Sequence, residues 1–149
     1  GGSRKPRRPD KEDGIRRSQR LLLTWLIETP ALFEKIEGVI TADDFVEDLY
    51  HQVAQMVFDG HREGNLNPAA ILSRFINDED QYKEVAALFN ASLKESLNNE
   101  EQKKAFSETV MKVRKNSLDV ASRNAKDITQ LQEIIRQQAA LKQLHISLD

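Results

Sequence analysis

Residues 99–148 read NEEQKKAFSETVMKVRKNSLDVASRNAKDITQLQEIIRQQAALKQLHISL, and their pattern sets how the rest of the chain is arranged. In the first half, Phe106, Val110, Val113 and Val120 recur mostly at three- and four-residue steps. They stand among Lys103, Lys104, Lys112, Arg114 and Lys115, which is the pattern of an amphipathic helix. Asn99 followed by Gln102 offers a capping-box-like start. The apolar spacing slips around Lys115–Leu118, where Ser117 takes an expected apolar place, but no Pro or Gly requires a kink. The pattern breaks between Asn124 and Thr129, and Asp127 with Gln130 repeats the capping signature. A turn is therefore expected near Asn124–Lys126, with a second helix from Ile128 to about Ile146. Along it Ile128, Leu131, Ile134, Ile135, Leu141, Leu144 and Leu148 form an apolar stripe, and Gln132, Glu133, Arg136, Gln137, Lys142 and Gln143 hold the remaining face.

Two helices alone are marginal. Each buried Leu or Ile returns only about 1.5–3 kcal/mol, while ordering the backbone costs about 1–2 kcal/mol per residue. The stripe must be covered by the rest of the chain or by another molecule, and which of these it is decides the function.

At 149 residues the chain can hold one ordinary domain, or a domain with an appendage. Its 39% apolar and 31% charged residues fit a charge-rich helical protein. No apolar run approaches the roughly 18 residues of a membrane span, and the basic N-terminus is not followed by a signal-like apolar stretch. The absence of cysteine excludes disulfides, thiolate metal sites and a cysteine nucleophile, so a cytoplasmic location is the plain reading. The net charge of −2 conceals +5 over residues 1–20, −9 over 21–99 and +2 over 100–149: a basic tail, an acidic body and a mildly basic hairpin.

Gly1-Gly2-Ser3 reads as a cloning remnant, and Arg4–Gly14, with Pro6 and Pro9 among charges, as a flexible basic linker. From Ile15 a helix carrying Leu22, Leu23, Leu26 and Ile27 is expected to stop near Thr29-Pro30. Thr29 as cap and Pro30 at the first helical position then open a short helix through Leu32, Phe33 and Ile36, closed by Gly38. Thr41 caps a turn with Asp43, Asp44 and Phe45. A longer helix follows from about Glu47 to Arg62, stopping at Gly60 or Gly64. Asn67-Pro68 opens a helix with Ile71, Leu72, Phe75 and Ile76, and Asp78 with Gln81 caps another holding Tyr82, Val85, Leu88 and Phe89. No sustained period-two pattern and no long internal repeat appears.

Catalytic signatures are missing. His51, His61 and His145 have no second histidine at zinc-helix spacing, and His51 and His61 read as ordinary surface histidines. Asp43, Asp44, Glu47 and Asp48 lack the spacing and glycine of a calcium loop and suit a helix start, where the macrodipole favours acids; Asp78, Glu79 and Asp80 read the same way. There is no phosphate loop or nucleophile elbow. The cationic tail Arg4-Lys5-Pro6-Arg7-Arg8-Pro9 could touch phosphates, but it has no aromatic for stacking and an acidic body behind it.

Taken in order, Leu21-Leu22-Leu23, Thr29-Pro30-Ala31-Leu32-Phe33, Ile40-Thr41-Ala42-Asp43-Asp44-Phe45, Leu49-Tyr50 and Val57-Phe58 resemble the C-terminal helicase-binding domain of bacterial replicative (DnaG-type) primases. The N-terminal domain of the DnaB-type helicase shares much of this pattern. The basic linker ahead of the body and the end of the chain just past the amphipathic helix suit the primase version. The resemblance implies an all-α protein with a helical bundle over residues 15–97, following the linker at 1–14, and a long helix and docking hairpin over 98–149. It implies no catalytic residue, metal or cofactor in this chain, with primer synthesis lying upstream. It also implies a partner, the N-terminal domains of the replicative helicase, with no direct nucleic-acid or membrane binding. The expected contacts are Leu131, Ile134, Ile135, Leu141, Leu144 and Leu148, with Arg136 and Lys142 at the rim. The competing expectation is that these apolar residues pack on the first arm and the bundle. The alternatives are the helicase N-terminal domain itself, which would self-associate into rings, and a nucleic-acid-binding helical domain led by the tail.

Overall fold

The computed structural model describes residues 11–90 and 100–148, and every regular element among them is helical. The all-α expectation holds. In chain order the elements are α1 (Lys11–Glu28), α2 (Leu32–Ile36), a 3-10 turn (Ala42–Asp44), α3 (Asp48–Arg62), α4 (Pro68–Ser73), α5 (Glu79–Asn90), α6 (Glu100–Arg123) and α7 (Ile128–Leu141). The expected tail, the Asn99 cap and Asp149 lie outside the described residues.

Most of the boundaries follow from local chemistry. The Thr41 hydroxyl accepts from the Asp43 amide while the Thr41 amide donates to the Asp44 carboxylate, a reciprocal cap. Asn67, Asp78 and Asp127 each accept from the backbone amide three residues on, at 3.2, 3.1 and 2.8 Å, which satisfies an orphan donor at the start of α4, α5 and α7. At the end of α3, Gly64 takes the left-handed conformation (φ +70°). The Asn65 amide then reaches back to the Gly60 carbonyl and the Gly64 amide to His61. Gly60 is a close-approach glycine: a Cβ there would lie 3.1 Å from the Leu66 backbone.

Three expected boundaries shift in the bundle; one is the end of the fourth helix, which closes at Ser73 so that Phe75 and Ile76 follow it in a turn. The first helix starts at Lys11 rather than Ile15, taking in the last residues of the expected linker. The short helix starts at Leu32. Pro30 and Ala31 form a turn in which the Thr29 carbonyl accepts from the Leu32 amide, and no side chain caps it.

The core is built around α1, which meets α2, α3, α5 and α6. Leu22 through Leu26 are all buried, as suits a helix enclosed by neighbours on several sides. Among them the Thr24 hydroxyl is satisfied locally, donating to the Arg20 carbonyl at 3.0 Å, while the buried Trp25 indole N–H has no hydrogen-bond partner. The largest of these contacts is with α6, where Trp25 and Phe106 meet edge to face at 5.5 Å and Val110 and Val113 continue the seam. Thus α6 is both the first arm of the hairpin and a wall of the bundle core. It runs uninterrupted for 24 residues, because Leu118 restores the buried stripe one position after Ser117.

A polar clasp ties α1 to α3 and α5. The Gln19 carbonyl oxygen accepts from the Glu47 amide at 3.1 Å, Arg16 stacks over the Tyr50 ring at 4.9 Å and pairs with Glu84, and the Tyr50 hydroxyl donates to Glu84 at 2.8 Å. Burial, helped by the bond to the Glu84 carboxylate, pushes the Tyr50 hydroxyl up to about 12. A folded-state value above the unfolded one means the native state holds this proton more tightly. The stabilisation is therefore complete below about pH 10 and lost as pH climbs toward 12. The stability difference between the native chain and Tyr50→Phe, from urea melts at pH 8 and 11.5, should shrink by about 2 kcal/mol at the higher pH.

Candidate docking site

The hairpin forms because Asp127 caps α7 directly after the turn at Asn124–Lys126, while Gln130 accepts from the Lys126 amide at 2.7 Å. These contacts fold α7 back on α6, its principal neighbour.

The eight residues expected to contact a partner divide into four groups. Ile135 is 52% exposed and shares the outward face with Ile128, seven residues earlier and 70% exposed; Arg136 and Lys142 are exposed beside them. Leu131 and Leu141 are half-buried at the margin. Ile134 is turned inward and only 8% exposed.

Leu144 and Leu148 are not on a helix at all, which corrects the expected end near Ile146. After Leu141 the Lys142, Gln143 and Leu144 amides bond three residues back, the helix closes, and residues 145–148 run as a strap. The strap inserts Ile146, 9% exposed, into the main core, with Leu144 and Leu148 packed against that core and His145 and Ser147 outward. This period-two alternation belongs to extended backbone, and it is what overrides the helical spacing of Leu141, Leu144 and Leu148.

A hydrogen-bond relay crosses from α7 to the bundle. Arg136 Nε donates to Glu133 at 2.9 Å, and Gln137 Nε2 donates to the other Glu133 oxygen at 3.2 Å. The Gln137 carbonyl oxygen accepts from Arg114 Nη2 at 3.2 Å, and Arg114 Nη1 donates to Asp44 at 2.8 Å. Asp44 in turn accepts from the Thr41 amide. Hydrogen bonding from Arg136, with a second bond from Gln137, holds the Glu133 carboxyl below the usual range, so this rim cation already has an anion beside it. Asp44 is the helix-start acid expected, closing the cap of the 3-10 turn, and is also the buried terminus of the relay, its side chain 4% exposed. Arg114, Asp44 and Gln137 were not among the expected site residues. His51, expected at the surface, is half-buried with its Nδ1 3.1 Å from the Ala42 carbonyl, and exposed His61 stacks on Phe33 at 4.0 Å.

Grooves flank the C-terminal half of α7. One of about 400 Å³ lies against α6 and is lined by Met111, Lys112, Lys115 and Leu141; the other, about 310 Å³, lies toward Gly38, Val39 and Arg114. Among the described residues no group of acids and histidines is placed to hold a metal ion, and no helix is long and apolar enough to cross a membrane.

The chain matches no protein-family model, curated protein or solved structure. Its role is carried by the geometry of its own residues. That geometry leaves Ile128 and Ile135 exposed on the outer face of α7, with polar side chains around them.

Proposed function

We propose that this chain is the helicase-docking module of a DnaG-type primase, presenting the α6–α7 hairpin to the N-terminal domains of a replicative DnaB-type helicase. The observation that carries this reading is the outward face of α7. A helix whose principal neighbour is α6 keeps Ile128 and Ile135 largely in water although Ile134 is buried on its inner side. Such a face suits helix-mediated recognition, in which a few large apolar side chains supply most of the affinity. The order of sequence elements through the bundle supports the choice of partner.

Calorimetric titration of the chain with the matching helicase tests this. Ile128→Glu with Ile135→Glu should weaken binding by about 100-fold, because two anchors at about 1–2 kcal/mol each combine to that factor. Circular dichroism should show an unchanged fold, since both side chains are exposed. Absence of binding by the native chain, or equal binding by the double variant, would sink the reading. Point variants are preferable to deleting residues after Asn124, which would also remove Ile146 from the core.

A further inference from the structure

The groove between α6 and the C-terminal half of α7 has a floor and a rim of different chemistry. Met111 and Leu141 form the floor, Lys112 and Lys115 rise from α6, and Lys142 stands at the C-cap of α7. The acid lining it, Asp119, is already engaged by Lys115 Nζ at 2.9 Å and Gln138 Nε2 at 3.2 Å. Among the described residues Lys112 and Lys142 have no carboxylate partner. A second groove continues over α6 toward the start of α1, lined by Ile15, Lys112 and Lys115 and reaching Arg123, which is likewise unpaired. In a chain of net charge −2, cations without partners gather around an aliphatic trough.

We propose that this trough receives an acidic amphipathic helix of a partner protein, laid in the valley between α6 and α7 as a third helix. Two packed helices leave a valley that a third can fill, with its ridges against theirs. Met111 and Leu141 offer the adaptable and the aliphatic surface that apolar side chains at three- and four-residue spacing require. Carboxylates on the flanks of the incoming helix meet Lys112, Lys142 and Arg123, a complementarity that selects an acidic partner over a basic one. A nucleic-acid strand fits less well, because the trough has no aromatic side chain for stacking and a phosphate backbone would leave its floor uncovered. A second copy of this chain docked through the same trough would bring the basic face of α6 against like charge. The inference rests on the docking reading only in taking the hairpin to be partner-facing; it adds the chemistry of the segment that is received.

The probe is a fluorescein-labelled helical peptide about as long as α7, with Leu at three- and four-residue steps and Glu elsewhere, titrated with the full chain and followed by anisotropy. A peptide with Lys for Glu, an oligothymidylate and phosphatidylglycerol vesicles serve as competitors in separate titrations. The acidic peptide should bind about tenfold more tightly than its Lys counterpart and than either competitor. Lys112→Glu with Lys142→Glu should weaken it by a similar factor, and backbone amide shifts should cluster at Met111, Lys112, Leu141 and Lys142. Both lysines are exposed, so circular dichroism should report an unchanged fold. Equal binding of the two peptides, indifference to the double charge reversal, or preferred binding of the oligonucleotide or vesicles would overturn the proposal. A parallel helicase titration of the native chain separates the two ideas, since failure of the acidic peptide to bind while the helicase binds removes this inference alone.

Discussion

Phe106→Ala is expected to lower the unfolding free energy by about 3–5 kcal/mol, the range for emptying a well-packed aromatic site. Phe106 is fully buried, and its ring meets Trp25 edge to face in the seam that joins α1 to α6. A cavity there opens on both helices at once. Neither can collapse into it freely, because α1 is also held by α3 and α5 and α6 by the 3-10 turn and α7. For a chain of this size, that loss corresponds to a fall in Tm of roughly 10–15 °C. Phe106→Leu should recover about half of it by keeping most of the volume. A loss below about 1.5 kcal/mol in urea melts would show that the seam is not the principal join of the core.

The second large effect is expected at Arg114. Arg114→Met keeps the aliphatic stem and removes the guanidinium, leaving the Asp44 carboxylate buried with the Thr41 amide as its remaining donor. Breaking one side of a buried ion pair costs about 3–5 kcal/mol. The figure here should be about 2–3 kcal/mol, because Arg114 is partly exposed and the Thr41 bond survives. Adding Asp44→Asn should return part of the loss, since the uncompensated charge disappears while an amide oxygen remains to accept from Thr41. The single variant should also raise hydrogen exchange in α7 more than in α1, because Gln137 loses its tie to the bundle. Uniform exchange in the two helices would show that the relay does not fix the position of α7.

How much of this was legible in the sequence depends on the range of the interaction. The caps at Thr41, Asn67, Asp78 and Asp127 were readable because each is closed by a residue two or three positions away. The turn at Asn124–Lys126 was readable because the apolar pattern breaks there. The partners Arg114 and Asp44 lie 70 residues apart, and nothing local marks either one as paired. On α7 the apolar residues are too widely distributed to tell Ile134, which faces inward, from Ile135, which does not. The strap was misread because Leu141, Leu144 and Leu148 satisfy helical spacing. The alternation Leu144-His145-Ile146-Ser147-Leu148 was a signal of extended chain that could have ended the helix earlier.

The placement of Ile146 in a core organised by α1 sets a timetable for biosynthesis. On the ribosome the apolar flanks of α1 emerge long before α6, and the strap emerges later still. Leu22, Leu23 and Leu26 must therefore wait, covered only provisionally by α3 and α5, while more than half the chain is made. The nascent chain is most exposed to mispairing and to chaperone capture in that interval, and the core around α1 closes only once residues 144–148 have appeared.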